Sequence, residues 1–218
     1  MSKIFKFGEG VEGYNIPVLN EREVRAAAGM LFVMMFVSIL TVIFKQDFAL
    51  LKYAIVIFLV DIATRVFVSP RFAPTLILGR LIVRNQTPEY VGAQQKKFAW
   101  YIGLVLALTM LVLQILVNSY SPITGLICLI CLIFLFFESA FGICLGCKFY
   151  SMIYKEKAQY CPGEVCEVKD RQAIQKTSLS QLLVVVAFVV FIVLLVILTK
   201  DFMNVPPFDL FGLEDAAK

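Results

Sequence analysis

Residues 98–137 read FAWYIGLVLALTMLVLQILVNSYSPITGLICLICLIFLFF, forty positions without Asp, Glu, Lys or Arg. A helix crossing about 30 Å of hydrocarbon needs roughly 20 apolar residues. The run therefore predicts two spans, parted at Asn118-Ser119-Tyr120-Ser121-Pro122, where turn formers and a proline interrupt the helix. Outward from it lie further apolar runs. Ala26–Phe44 is charge-free, Phe48–Val68 carries only Lys52, Asp61 and Arg65, and Thr177–Thr199 is charge-free. The expectation is an all-α integral membrane protein, a polytopic bundle with transmembrane helices near 24–45, 48–68, 98–118, 122–150 and 178–199. The first four form a core, and the fifth, apolar on every face, is a peripheral anchor.

Composition agrees. Of 218 residues, 60% are hydrophobic and 17% charged, and mean hydropathy is +0.85. A soluble domain is nearer half apolar and a quarter charged, and a disordered chain is poorer still in apolar residues. The chain has no histidine, which excludes His-ligated haem, His-bearing zinc sites and Ser-His or Cys-His nucleophiles.

The ends of the spans follow from local signals. Asn20 is an N-cap candidate for the first helix, with Glu21 and Glu23 in the first turn and Glu23 placed for a capping box. Residues 1–19 form a polar arm on the membrane face. A cleaved leader is not expected, since about 23 mostly polar residues precede the first apolar run and that run is too long for one. Ser69-Pro70-Arg71-Phe72-Ala73-Pro74 ends the second span. The stretch 75–84, with Arg80 and Arg84 four apart, is too short to cross and suits an interfacial helix. Lys96, Lys97, Phe98 and Trp100 are expected to anchor the third span at the headgroups.

Orientation follows the cations. One side carries Lys3, Lys6, Arg22 and Arg25; Arg65, Arg71, Arg80, Arg84, Lys96 and Lys97; and Lys148, Lys155, Lys157, Lys169, Arg171 and Lys176. The other carries Lys45, Lys52, Lys200 and Lys218. Sixteen against four places the N-terminus in the cytoplasm and the 200–218 tail outside. The net charge of +4 then biases one face toward lipid and is no nucleic-acid footprint.

All six cysteines fall between 128 and 166. Cys128 and Cys131 lie in the outer half of the fourth span and read as helix packing. Cys144 and Cys147, spaced to share a helical face, are set among Gly142, Gly146 and Lys148. A neighbouring cation favours the thiolate, the nucleophilic and metal-binding form, although a helix C-terminus opposes it. Cys161 and Cys166 flank Pro162-Gly163 in the 156–177 loop, where a turn can bring sulfurs together. The four could act as a dithiol relay with Cys161 and Cys166 as a shuttle pair, hold zinc as a four-thiolate site, or pack and idle. Asp61, Arg65 and Glu138 are the ionisable groups at membrane depth. They are expected to form one buried polar cluster, with Arg65 as the partner of Glu138 across the bundle, serving as a structural pair or as a proton or anion relay.

Residues 20–29 (NEREVRAAAG), Asp61-x3-Arg65 with Ser69-Pro70-Arg71-Phe72, Lys97-Phe98-Ala99-Trp100, and Glu138-x3-Gly142-x-Cys144-x-Gly146-Cys147-x2-Tyr150 occur in that order. In these motifs the chain resembles the bacterial membrane family catalogued as domain of unknown function 4395, over roughly residues 15–155. The resemblance implies a four-helix membrane domain, near 20–155, with a Cys-x-Gly-Cys end, and implies no activity.

Three functions remain open on these residues. One is a bacterial inner-membrane thiol protein exchanging electrons or sulfane sulfur with a thioredoxin- or rhodanese-like partner. Another is a carrier or channel for a soft metal ion or sulfur anion. The third is a structural or interaction subunit of a larger membrane complex.

Overall fold

The computed structural model describes residues 7–145 and 176–209. Among them the order is β1 (Val18–Asn20), α1 (Glu21–Lys45), α2 (Ala49–Ala63), α3 (Pro74–Ile82), β2 (Tyr90–Gly92), α4 (Ala93–Met110), β3 (Ser119–Tyr120), α5 (Pro122–Phe136), α6 (Leu179–Met203) and β4 (Phe208–Asp209). Helices α2, α4 and α5 each continue into a widened, π-helical stretch: Thr64–Val68, Leu111–Leu116 and Phe137–Phe141. Four helices are long and apolar enough to cross a membrane: Glu21–Lys45, Ala93–Leu116, Pro122–Phe141 and Leu179–Met203.

Helices α1, α2, α5 and α6 each begin at a polar side chain. The Asn20 side chain accepts from the Arg22 N–H, and its Nδ2 donates to Glu23 Oε1 at 3.0 Å. Asn20 and Glu23 therefore close side chain to side chain rather than through the reciprocal backbone bonds expected of a capping box. Asp47 accepts from the Ala49 N–H at 2.9 Å and opens α2. Ser121 and Thr124 form a reciprocal capping box at α5, behind Pro122, and Ser178 and Gln181 form another at α6. Asn118 turns the chain between α4 and α5 with φ +51°.

Helices α1, α2, α4 and α5 pack as a four-membered ring: α1 on α2 and α5, α4 on α2 and α5. Their inner faces bury Leu31, Phe58, Ile62, Trp100, Leu104 and Ala107 in one cluster, and Met35, Leu51, Ile55, Met110 and Cys128 in a second. Outer faces are apolar as well, with Val33, Phe44, Val105 and Leu126 more than half exposed. An apolar exterior around an apolar interior is what lipid demands and water penalises.

Helix α3 fills the gap between α1 and the end of α2, and Pro74–Ile77, Gly79 and Arg80 are buried. A Cβ at position 79 would lie 2.6 Å from the Glu23 carbonyl oxygen, so glycine permits the contact. Helix α6 is a side rail. Over its length only Gln181 and Met203 are buried. Gln181 Nε2 donates to the Arg71 carbonyl at 3.0 Å, and beyond the other end β4 pairs in parallel with β3.

One sequence-based expectation about the fold changes. The fourth helix was expected to run to residue 150. It ends at Phe141, where Gly142 turns left-handed at φ +66°, its N–H bonded to the Glu138 carbonyl. The arm is tied to the bundle, since β1 pairs antiparallel with β2, and Phe7 meets Trp100 edge-on at 5.7 Å between ring centroids.

Candidate functional site

Helix α2 delivers Asp61 and Arg65 one turn apart, facing α3. Arg65 Nε donates to Asp61 Oδ2 at 2.8 Å, and its Nη2 donates to Thr75 Oγ1 at 2.7 Å. Asp61 also accepts the Thr75 hydroxyl at 2.7 Å and the Thr75 N–H at 2.9 Å. The residue before α3, Ala73, has no side chain able to cap, so Asp61 caps the helix from a neighbouring one. The Arg65 guanidinium lies 5.1 Å over the Trp100 ring. Asp61 and Arg65 are both buried, and no buried side-chain atom of either is left without a hydrogen-bond partner, the condition under which a buried pair is tolerated.

A second group sits across the bundle. Lys96 Nζ lies between two carboxylates, Glu21 Oε2 at 2.7 Å and Glu138 Oε1. Glu138 therefore takes Lys96 and not Arg65 as its cation, and the expected three-residue cluster divides in two. The reason is helical phase. Lys96 and Trp100 are four apart on the inward face of α4, at 1% and 6% exposure, while Lys97 points outward over Phe7 at 5.0 Å. Neither Lys96 nor Trp100 is the headgroup anchor expected of it. Glu138 lies in the π-helical turn, a device frequent at functional sites. Arg25 Nη2 donates to the Ala140 carbonyl at 3.3 Å, closing the end of that turn, and a Cβ at position 142 would come within 3.2 Å of Arg25 Nη1.

A cavity of about 70 Å³ lies where the two groups approach, lined among others by Arg65, Trp100, Cys131, Glu138, Cys144 and Leu145. Cys144 is half-buried beyond the Gly142 stop. A continuous helix would set Cys131 and Cys144 some 20 Å apart at 1.5 Å per residue. The turn at Gly142 ends that helix, and both residues line this one cavity. Cys131 and Cys128 are buried thiols on the inner face of α5. Cys147, Cys161 and Cys166 lie outside the described residues, and with them the shared face of Cys144 and Cys147, the shuttle pair and the four-thiolate zinc site. Among the described residues no three of His, Cys, Asp and Glu gather as a metal site.

Sequence reasoning overlooked Glu21, Lys96, Thr75 and Trp100 as members of this site. The four-residue spacing of Lys96, Trp100 and Leu104 on one face of α4 was the available signal.

Comparison with family models matches residues 19–155 to the Domain of unknown function (DUF4395). No curated protein and no solved structure matches.

Proposed function

Because this chain belongs to the DUF4395 family, we propose that it is a bacterial inner-membrane thiol protein whose reactive pair is Cys144 and Cys147. On this reading α1, α2, α4, α5 and α6 cross the membrane, and α3 lies at its cytoplasmic face. The N-terminus is in the cytoplasm and the 200–218 tail outside, as the cation bias indicates. The observation that carries the reading is the place of Cys144: just past a helix stop, on a cavity it shares with Arg65 and Glu138.

A cation on that cavity favours the thiolate, and a carboxylate can receive the thiol proton. The Cys144 thiolate attacks one sulfur of a disulfide on a thioredoxin-like partner. The partner's S–S bond breaks, a mixed disulfide forms, and the second sulfur leaves as a thiolate that takes up a proton. The Cys147 thiolate then attacks Cys144 Sγ. The products are a Cys144–Cys147 disulfide and the partner's dithiol, so two electrons have passed to the partner. The reverse sequence reduces the membrane protein.

The test is redox titration of membranes with glutathione buffers, followed by mass mapping of cysteines. A Cys144–Cys147 disulfide should form reversibly, and Cys147→Ser should trap a mixed disulfide on Cys144. Dithiols unchanged between about −300 and −150 mV, the span of cellular thiol couples, would remove the relay. Reporter fusions after Lys176 and at Lys218 test the orientation. The first should be active only in the cytoplasm and the second only outside.

A further inference from the structure

A different part of the molecule holds a second cavity, of about 280 Å³, far above the ~10–15 Å³ that one water requires. Its walls are Gly8–Gly10 of the arm, Asn20 and Glu23 at the start of α1, Ser69–Arg71 after α2, and Arg80 of α3. Gly8, at φ +84°, lets the arm lie close: a Cβ there would be 2.6 Å from that of Ala93.

Its charges are incompletely matched. Arg80 is 5% exposed and donates through Nε to Glu23 Oε2 at 3.1 Å, with Nη2 only 3.8 Å from Glu9 Oε1. Its Nη1 is buried without a hydrogen-bond partner. A guanidinium donor left unmade in a buried site carries an uncompensated desolvation cost, which a bound acceptor would recover. Arg71, exposed on the rim, makes no side-chain ion pair with any described residue. The site thus offers two guanidinium groups with unused donors, and beside them the Glu9 carboxylate in a long, weak contact.

The cavity also sits at helix ends: the start of α1, the end of α2, and the start of α6, whose Gln181 bonds the Arg71 carbonyl. On a membrane protein that level is where lipid phosphates lie, and basic pockets between helices on the cytoplasmic side hold lipid headgroups. We infer that this cavity binds a phosphate–ammonium zwitterion, the headgroup chemistry of phosphatidylethanolamine: Arg71 and Arg80 Nη1 hold the phosphate, and Glu9 holds the ammonium. Planar guanidinium forks suit a phosphate's oxygens, and a carboxylate suits an ammonium. A purely anionic headgroup would leave Glu9 facing a negative charge. The site uses none of the thiol residues and stands whether or not they form a relay.

Native mass spectrometry of the full chain in detergent, titrated with phosphatidylethanolamine, tests it. Arg71→Ala removes an exposed side chain and should weaken binding about tenfold, the worth of one charge-assisted contact. Arg84→Ala, an exposed cation outside the cavity, should leave binding unchanged. Glu9→Gln should abolish the preference for phosphatidylethanolamine over phosphatidylglycerol. Soluble phosphoethanolamine that displaces the lipid at similar concentration identifies a soluble ligand of the same chemistry; failure to displace it identifies the lipid. No binding of either, or equal losses in Arg71→Ala and Arg84→Ala, overturns the proposal.

Discussion

The two ends of the helix bundle are held together by different chemistry. At the end where α1 begins, ion pairs tie segments distant in sequence, Arg22 with Glu89 at 2.6 Å, Arg80 with Glu23, and Lys96 with Glu21 and Glu138, beside the local pair of Arg65 with Asp61. At the opposite end one buried cation, Lys52, does the tying with neutral partners. Its Nζ donates to Asn118 Oδ1 at 2.7 Å and to the Val205 carbonyl at 2.6 Å, joining α2, the α4–α5 turn and the chain beyond α6. The first end combines opposite charges whose neutralisation depends on every member remaining. The second uses a lysine whose removal exposes only neutral acceptors. Losing one partner should therefore cost more at the first end than at the second.

The sharpest way to break the comparison is Lys96→Met. It leaves Glu21 and Glu138 facing each other without the cation between them, and deleting one member of a buried ion pair costs about 3–5 kcal/mol. Thermal unfolding in detergent should show the largest loss of any single substitution here, with partial rescue when Glu138→Gln is added. No loss would mean that the carboxylates reach water. Lys52→Met is the counterpart at the other end. It leaves two neutral acceptors unpaired, at about 1–3 kcal/mol, and should loosen the Asn204–Pro207 segment to proteolysis. A loss equal to that of Lys96→Met would erase the distinction between the ends.

Gly142→Ala is a smaller perturbation. A left-handed alanine costs roughly 1–2 kcal/mol, and its methyl crowds Arg25. Maleimide labelling of Cys144 should change in rate, because the turn that places it is disturbed, while Cys128 and Cys131 stay protected. Unchanged Cys144 labelling would dissociate the turn from the thiol.

The smallest effect is a titration. Tyr90, in the strand beside the arm, has its phenol pushed up to about 12 by burial first and by Glu23 and Glu9 next. A raised folded-state value means that its contribution to stability is complete below pH 10 and is lost as pH climbs toward 12. Ultraviolet difference titration should show a late tyrosine component that is absent in Tyr90→Phe. A Tyr90 that ionises near 10, the ordinary value of a phenol, would place it in water.

The long charge-free runs and the stops between them were legible in the sequence, because lipid and backbone impose them locally. Twenty apolar residues, Asn118–Pro122 and the cap at Asn20 act over one or two turns of chain. The Asp61–Arg65 pair was legible for the same reason, being one helical turn apart. The far end of the fourth helix was less so. Gly142 is one of 12 glycines, and nothing local in the sequence marks it as one that turns left-handed with Arg25 beside it.

Composition, spans, loop cations and the motifs at 20–29, 61–72 and 138–147 thus determined by themselves that this is a helical membrane protein of its family. Tertiary structure alone decided which charge meets which. The sequence reading paired Glu138 with Arg65, and the choice of Lys96 instead depends on the rotation of α4 about its axis, which turns Lys96 and Trp100 inward and Lys97 outward. In a helix apolar on every side, no hydrophobic face reports that rotation. It is set by which neighbours pack against it, and that information lies in other parts of the chain.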